Sequence, residues 1–238
     1  MATIRALFFF AAIWISFIIV VPPWMLFALI FRVKKNFTLP GKVLFKVLFP
    51  LCGVKIKIQN PENMKTNQTF LILSNHQSYL DVPVILTYIR LTAYMAKDSL
   101  FKIPVFGASL RQAGVLVVDQ TNPRKNRDLG DRMLANLAKG LYYGVFPEGT
   151  RSRDCKLLPF KKGIFHYCVQ AGIPILPVTF PNTGVIMPRK QMKMYTGDLD
   201  IIIHPIIQPE DYKELSSNQL KDKVYGIIES GFPGSPQA

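Results

Sequence analysis

The sequence predicts an α/β fold: a central mixed sheet flanked by helices, preceded by an N-terminal membrane-associated helical segment. Three observations carry this expectation. Beyond residue 53, short apolar β-rich runs alternate with stretches long enough for helices. Residues 6–31 run 26 positions without a charge. Hydrophobic side chains make up 49% of the 238 residues against 18% charged, enough to bury a core and too apolar for a disordered chain.

The N-terminal element comes first. At about 1.5 Å per residue, an unbroken helix over residues 6–31 would exceed a hydrocarbon core about 30 Å thick. Pro22 and Pro23 interrupt it, and the piece before them, roughly 24 Å long as a helix, is slightly short of a span. A kinked, tilted span and a hairpin dipping into one leaflet are both open. Arg5 followed by an apolar run also resembles a secretory signal, but no small-x-small cleavage pattern follows Val21. Arg32, Lys34 and Lys35 outweigh Arg5, so the positive-inside rule places the residues after 31 in the cytoplasm. Cys52, Cys155 and Cys168, with no CxxC among them, fit free thiols in a reducing compartment.

Residues 40–52 set Lys42 and Lys46 four apart among Val43, Leu44, Phe45, Val47, Leu48 and Phe49. This suits an interfacial helix whose lysines meet anionic headgroups. A helix packed on the protein's own core with snorkelling lysines is the competing reading. Strands are expected at 54–58, 69–74, 92–96, 114–119, 141–147, 174–180 and 199–205, and helices at 82–90, 99–111, 124–139, 161–171 and 212–231. Strands alternating with helices imply a sheet covered on both faces, with its chemistry in loops at one end. The chain therefore divides into membrane-anchoring helices at 1–52, a catalytic domain at 53–231 and a disordered tail at 232–238.

The net charge of +14 calls for an anionic partner or surface. Residues 1–60 supply +8 of it and contain no acidic side chain. Because this charge flanks an apolar run and no nucleic-acid motif is present, the sequence favours a membrane over DNA or RNA.

Two segments carry chemistry. In SNHQSYLD (74–81), His76 follows an apolar strand and Asp81 comes five residues later. A continuous helix would hold such a pair about 140° apart, so a turn is required to bring the carboxylate onto one imidazole nitrogen while the other faces substrate. Asp81 has a rival role as the N-cap of the following helix, with Pro83 close behind. In FPEGTRS (146–152), Gly149 permits close backbone approach, Thr150 and Ser152 offer hydroxyls, and Arg151 offers a bidentate fork for phosphate. A turn with a solvated Arg is the plain alternative.

These segments, about 70 residues apart and followed by GIPILPV (172–178), resemble the 1-acylglycerol-3-phosphate acyltransferase group of the glycerolipid acyltransferases. The resemblance covers roughly residues 53–205. Its marks are the HX4D pair His76 and Asp81, the block Glu148, Gly149, Thr150 and Arg151, AKDSLFKIPVFG (96–107), FKKG (160–163) and the late prolines Pro174 and Pro177. It implies direct acyl transfer from acyl-CoA or acyl carrier protein to the hydroxyl of 1-acylglycerol 3-phosphate, giving phosphatidic acid, with no cofactor, no metal and no acyl-enzyme. His76 would take the acceptor's proton and Asp81 would hold the imidazole tautomer. Glu148 and Gly149 would shape the site, while Thr150, Arg151 and Lys97 would bind substrate.

One block departs from the family pattern. Where these enzymes commonly carry an Asp-Arg-Ser-Asn run, this chain reads GVLVVDQTN, with Gln120 at the Arg position that members use for the acceptor phosphate. Arg124, Arg127, Lys97 and Arg151 are candidate substitutes. The departure keeps another lysophospholipid or an amino-acid lysolipid open as acceptor. A non-catalytic membrane scaffold is disfavoured by the intact His76 and Asp81 pair. His166 and His204, outside any motif, are expected on a helix face and at a strand end.

Overall fold

The computed structural model describes residues 1–33, 37–90, 92–119, 126 and 128–233. Among them, the seven expected strands form one sheet in the order β1-β7-β6-β2-β5-β3-β4. The strands are β1 (Val54–Gln59), β2 (Leu71–Ser74), β3 (Thr92–Lys97), β4 (Leu116–Val118), β5 (Tyr142–Val145), β6 (Ile175–Thr179) and β7 (Gly197–Ile203). Five run parallel, from β6 through β2, β5 and β3 to β4. β7 pairs antiparallel with β6 and parallel with β1, which makes the sheet mixed.

Side-chain alternation along the strands divides the core in two. From β2, Ile72 joins one cluster with Leu176, Val178, Leu199 and Ile201, covered by Phe9, Phe49, Val84 and Ile85. Leu71 and Leu73 face the other cluster, with Tyr143 and Ile175 beneath Met133, Phe165 and Val224. Helices thus cover both faces, as continuous apolar runs in parallel strands require.

The expected helix at 82–90 is a short helix α4 (Asp81–Val84) that widens into a π-turn over Ile85–Ile89, where Thr87 Oγ1 donates back to the Pro83 carbonyl at 2.7 Å. The expected 99–111 helix is broken. A 3₁₀ turn over Asp98–Lys102 and helix α5 (Phe106–Gln112) are separated by Pro104 and by Val105 at φ 62°. Helices α6 (Leu129–Ala138), α7 (Gly163–Ala171) and α9 (Ser217–Ser230) lie inside their expected ranges, and a short α8 (Thr183–Ile186) was not expected. The last helix starts at Ser217 because Ser216 and Gln219 form a reciprocal capping box. Gln120, Arg124, Arg127, Lys34, Lys35 and residues 234–238 of the expected tail lie outside the described residues.

At the N-terminus, Pro22 and Pro23 occupy the first turn of a second helix, where proline is tolerated, so the apolar run splits into α1 (Ala2–Ile19) and α2 (Val21–Ile30). Helix α1 is long and apolar enough to cross a membrane by length and composition. It nevertheless lies along the rest of the protein. Ala2 O accepts the Met194 N–H at 3.0 Å, Phe9 packs on Phe45 and Phe49, and Phe17 meets Phe106 edge-on at 5.0 Å. Helix α2 continues onto α5, where Gln112 Nε2 donates to the Met25 carbonyl at 3.4 Å. Helix α3 (Leu39–Leu51) buries Leu48 and Phe49 while exposing Val43, Lys46, Val47 and Leu51. It packs on the core through one face, as the second reading of residues 40–52 expected, and presents another outward.

Candidate active site

The parallel strands end together, and the candidate residues leave from that edge. His76 follows β2 by two residues, Glu148 follows β5 by three, and Lys97 closes β3. Asn75 locks the first loop to the end of β6: its Nδ2 donates to the Phe180 carbonyl at 2.8 Å and its Oδ1 accepts the Phe180 N–H at 2.7 Å.

The turn between His76 and Asp81 brings His76 Nδ1 to 2.6 Å from Asp81 Oδ2. Asp81 is fully buried, and the same oxygen accepts the backbone N–H groups of Gln77 at 2.8 Å and Ser78 at 2.9 Å. Those donors precede α4, and Asp81 stands at its first helical position rather than as its cap. The expected N-cap position is taken by Leu80 instead. Oδ2 thus gathers two backbone N–H donors and the imidazole Nδ1. Asp81 Oδ1 is buried without a hydrogen-bond partner among the described residues, which leaves Oδ2 as the oxygen that addresses the ring. The His76 side chain is 19% exposed, and its ring stacks on Phe146 with centroids 4.0 Å apart and planes 14° apart.

Glu148 joins the two motifs. Its Oε1 accepts the His76 backbone N–H at 2.6 Å and its Oε2 accepts the Leu158 N–H at 3.1 Å. Burial pushes its carboxyl pKa up to about 8, with the neighbouring Asp81 charge acting the same way and the two N–H donors opposing it. The Ser152 N–H donates to the His76 carbonyl at 2.8 Å, so His76 is held by its main chain on both sides. Gln77 Nε2 donates to the Cys155 carbonyl at 2.8 Å and adds a third tie between the loops. Gly149 turns the chain at φ 68°, a conformation that a β-carbon disfavours.

Arg151 lies with its guanidinium carbon 3.6 Å from the centre of the Tyr79 ring. Its Nη1 is buried with no hydrogen-bond partner among the described residues, and its carbonyl accepts from Arg189 Nη1. Thr150 and Lys97 are exposed, and neither is hydrogen-bonded to His76, Asp81 or Glu148. His76, Asp81 and Glu148 are thus brought together, Arg151 is placed beside their loop by Tyr79, and Lys97 shares only the sheet edge. Sequence reasoning missed Phe146, Asn75, Tyr79 and Arg189. The first three lie in or beside the two motifs, but pairings across the sheet leave no local pattern. The spare histidines fall as expected: His166 is exposed on α7, while His204 is buried after β7. His204 Nε2 pairs with Thr179 Oγ1 at 2.8 Å, and burial brings the His204 pKa down to about 4. No group of three His, Cys, Asp or Glu able to hold a metal occurs among the described residues. A cavity of about 510 Å³ between Arg32, Gln112, Asn136 and Lys139 adjoins the starts of β4 and β5, the edge opposite His76.

The sequence model of the Acyltransferase family matches residues 55–181, which include both motifs. The chain belongs to the acyltransferase family. A 1-acyl-sn-glycerol-3-phosphate acyltransferase of Salmonella typhimurium is 30% identical over 181 residues, covering 75% of this chain and 72% of the relative. The chloroplastic 1-acyl-sn-glycerol-3-phosphate acyltransferase BAT2 of Brassica napus is 38% identical over 63% of this chain and 44% of its own length. This chain spans about half the length of such plant and algal relatives. The crystal structure of the 1-acyl-sn-glycerophosphate acyltransferase PlsC of Thermotoga maritima superposes with a TM-score of 0.77 at 27% identity. That match covers 97% of this chain and 96% of PlsC, so this member of the family keeps the architecture over the N-terminal helices as well.

Proposed function

We propose that this acyltransferase moves a fatty acyl group from a thioester donor, acyl-CoA or acyl carrier protein, to the free hydroxyl of 1-acylglycerol 3-phosphate, giving phosphatidic acid. The observation that carries the reading is the 2.6 Å contact between His76 Nδ1 and a fully buried Asp81. With Nδ1–H donated to Asp81, Nε2 removes the proton from the acceptor hydroxyl as its oxygen attacks the thioester carbonyl carbon. The C–S bond then breaks, the imidazolium returns its proton to the leaving sulfur, and an ester replaces the thioester. Asp81 stabilises the transient imidazolium. Glu148 holds the main chain on which the imidazole is mounted, and Arg151, whose buried Nη1 has no hydrogen-bond partner among the described residues, binds the acceptor phosphate.

The same reading places α1 and α2 in the cytoplasmic leaflet of a membrane, lying along it without spanning it. Their inner sides pack on the protein, while Leu7, Phe8, Trp14, Ile15, Ile18, Ile19, Leu26, Leu29 and Ile30 are exposed. An outward apolar surface of this kind fits an acyl-chain environment better than water. Lys97 and Thr150 complete the substrate-binding set at the strand edge.

The test is acyl transfer by the full chain in phospholipid vesicles, offered lysophosphatidic acid, lysophosphatidylcholine and monoacylglycerol separately. Preference for the phosphate monoester supports the proposal. Indifference to lysophosphatidic acid would refute this acceptor.

A further inference from the structure

We propose that Tyr79 is a positioning residue for Arg151 and that, through Phe10, it couples the seating of helix α1 to acceptor binding. This rests on reading Arg151 as the ligand of the acceptor phosphate. Tyr79 stands two residues before Asp81 in the first motif, and it is 50% exposed, so no core requirement explains an aromatic there. Its ring instead has two partners from distant parts of the chain. The Arg151 guanidinium carbon sits 3.6 Å from the ring centre, and Phe10 of α1 meets the ring edge-on at 5.8 Å and 89°.

The chemistry of that stack suits a phosphate ligand. Among the described residues no carboxylate or carbonyl is hydrogen-bonded to the Arg151 guanidinium, and Nη1 is buried and unpartnered. A carboxylate would have neutralised the fork and competed with the phosphate for its N–H donors. An aromatic face attracts the cation yet accepts none of its in-plane hydrogens, so the plane is held while its N–H donors remain unspent. Arg189 secures the Arg151 main chain through its carbonyl, leaving the side-chain plane to be set by Tyr79. An exposed tyrosine would ordinarily sample several rotamers. Phe10 restricts that freedom, and Phe10 is carried by the helix whose outer surface is apolar. Seating of α1 against a bilayer is thereby transmitted to the acceptor pocket by two ring contacts.

The test compares kcat and KM of the full chain in mixed micelles, with lysophosphatidic acid and with monoacylglycerol as acceptors. Tyr79→Leu should raise KM for lysophosphatidic acid about 2- to 30-fold, the span of a cation–π contact. It should leave kcat and the monoacylglycerol rate nearly unchanged. Tyr79→Phe should retain the wild-type KM, Phe10→Leu should raise it by less than Tyr79→Leu, and Tyr79→Leu should add little to Arg151→Lys. An unchanged KM in Tyr79→Leu alongside a raised KM in Arg151→Lys would overturn the positioning role and leave Arg151 as the phosphate ligand. An unchanged KM in Arg151→Lys would overturn both. A loss confined to kcat in Tyr79→Leu would assign Tyr79 to support of the His76 loop and likewise overturn the proposal.

Discussion

Glu148 Oε1 accepts the backbone N–H of His76 at 2.6 Å, so the carboxyl group that follows β5 fixes the main chain that presents the imidazole after β2. The two motifs, 72 residues apart, are therefore one structural unit. A buried carboxyl held this way is sensitive to its protonation state, because burial favours the acid while the two N–H donors favour the anion.

The first prediction follows from that tension. Glu148 has its folded-state pKa raised from 4.5 to about 8, with burial the leading cause. A raised carboxyl contributes stability that is fully present below about pH 4.5 and is lost as the pH climbs to about 8. Glu148→Gln removes this titration. It also turns an amide N–H toward one of two backbone donors, which costs about 1–3 kcal/mol and lowers activity. Thermal unfolding between pH 4 and 9 should show the wild type more stable than the variant at low pH. The gap should narrow by at most about 1.4 kcal/mol per pH unit through the window. A gap that stays constant or widens with pH would contradict the assignment.

A second prediction concerns the outer surface of α1. Deleting residues 1–31 would uncover Phe49, which packs on Phe9 in the core, and so would confound anchoring with folding. Replacing Ile15, Ile18 and Ile19 with Ser touches only side chains that are at least half exposed. The melting temperature should barely move, as for surface changes generally. Partition onto anionic liposomes should fall by at least about tenfold, as expected for apolar area no longer buried in lipid. Undiminished sedimentation with liposomes in high salt would argue against an apolar anchor.

A third prediction uses Gln120, which lies beyond the described residues. With lysophosphatidic acid as the native acceptor and its phosphate already served by Arg151, Gln120→Arg should change kcat/KM for that acceptor less than about threefold. A new charge-assisted contact of about 1.5–3 kcal/mol that switched preference toward lysophosphatidic acid from another lysolipid would identify that other lysolipid as the native acceptor.

Much of this was legible in the sequence because it is local. Period-two alternation in VKIKI marks β1, and apolar runs ending in polar, Pro or Gly residues mark the buried parallel strands. The His76 and Asp81 spacing requires a turn, and a turn is what the chain makes. Non-local features were not legible. The break between Lys102 and Phe106 depends on Val105 adopting a positive φ, which a β-branched residue rarely does without tertiary compulsion. Phe146 reads as one more apolar residue at a strand end until β5 is set beside β2 and its ring comes to rest on His76. The path of α1 along the protein likewise depends on Phe9, Phe10 and Phe17 finding partners far away in sequence.

The central claim, that His76 is the general base and Asp81 its orienting partner, is tested most directly by single-turnover acyl transfer to lysophosphatidic acid. The comparison is wild type, His76→Ala and Asp81→Asn at matched folded concentration. His76→Ala should lose at least the ~10²-fold typical of a general base. Asp81→Asn should lose a comparable factor, because an amide in place of Oδ2 can favour the wrong imidazole tautomer. Both variants should bind lysophosphatidic acid as the wild type does. Near-wild-type transfer by His76→Ala, or full activity in Asp81→Asn beside an inactive His76→Ala, would contradict the paired mechanism.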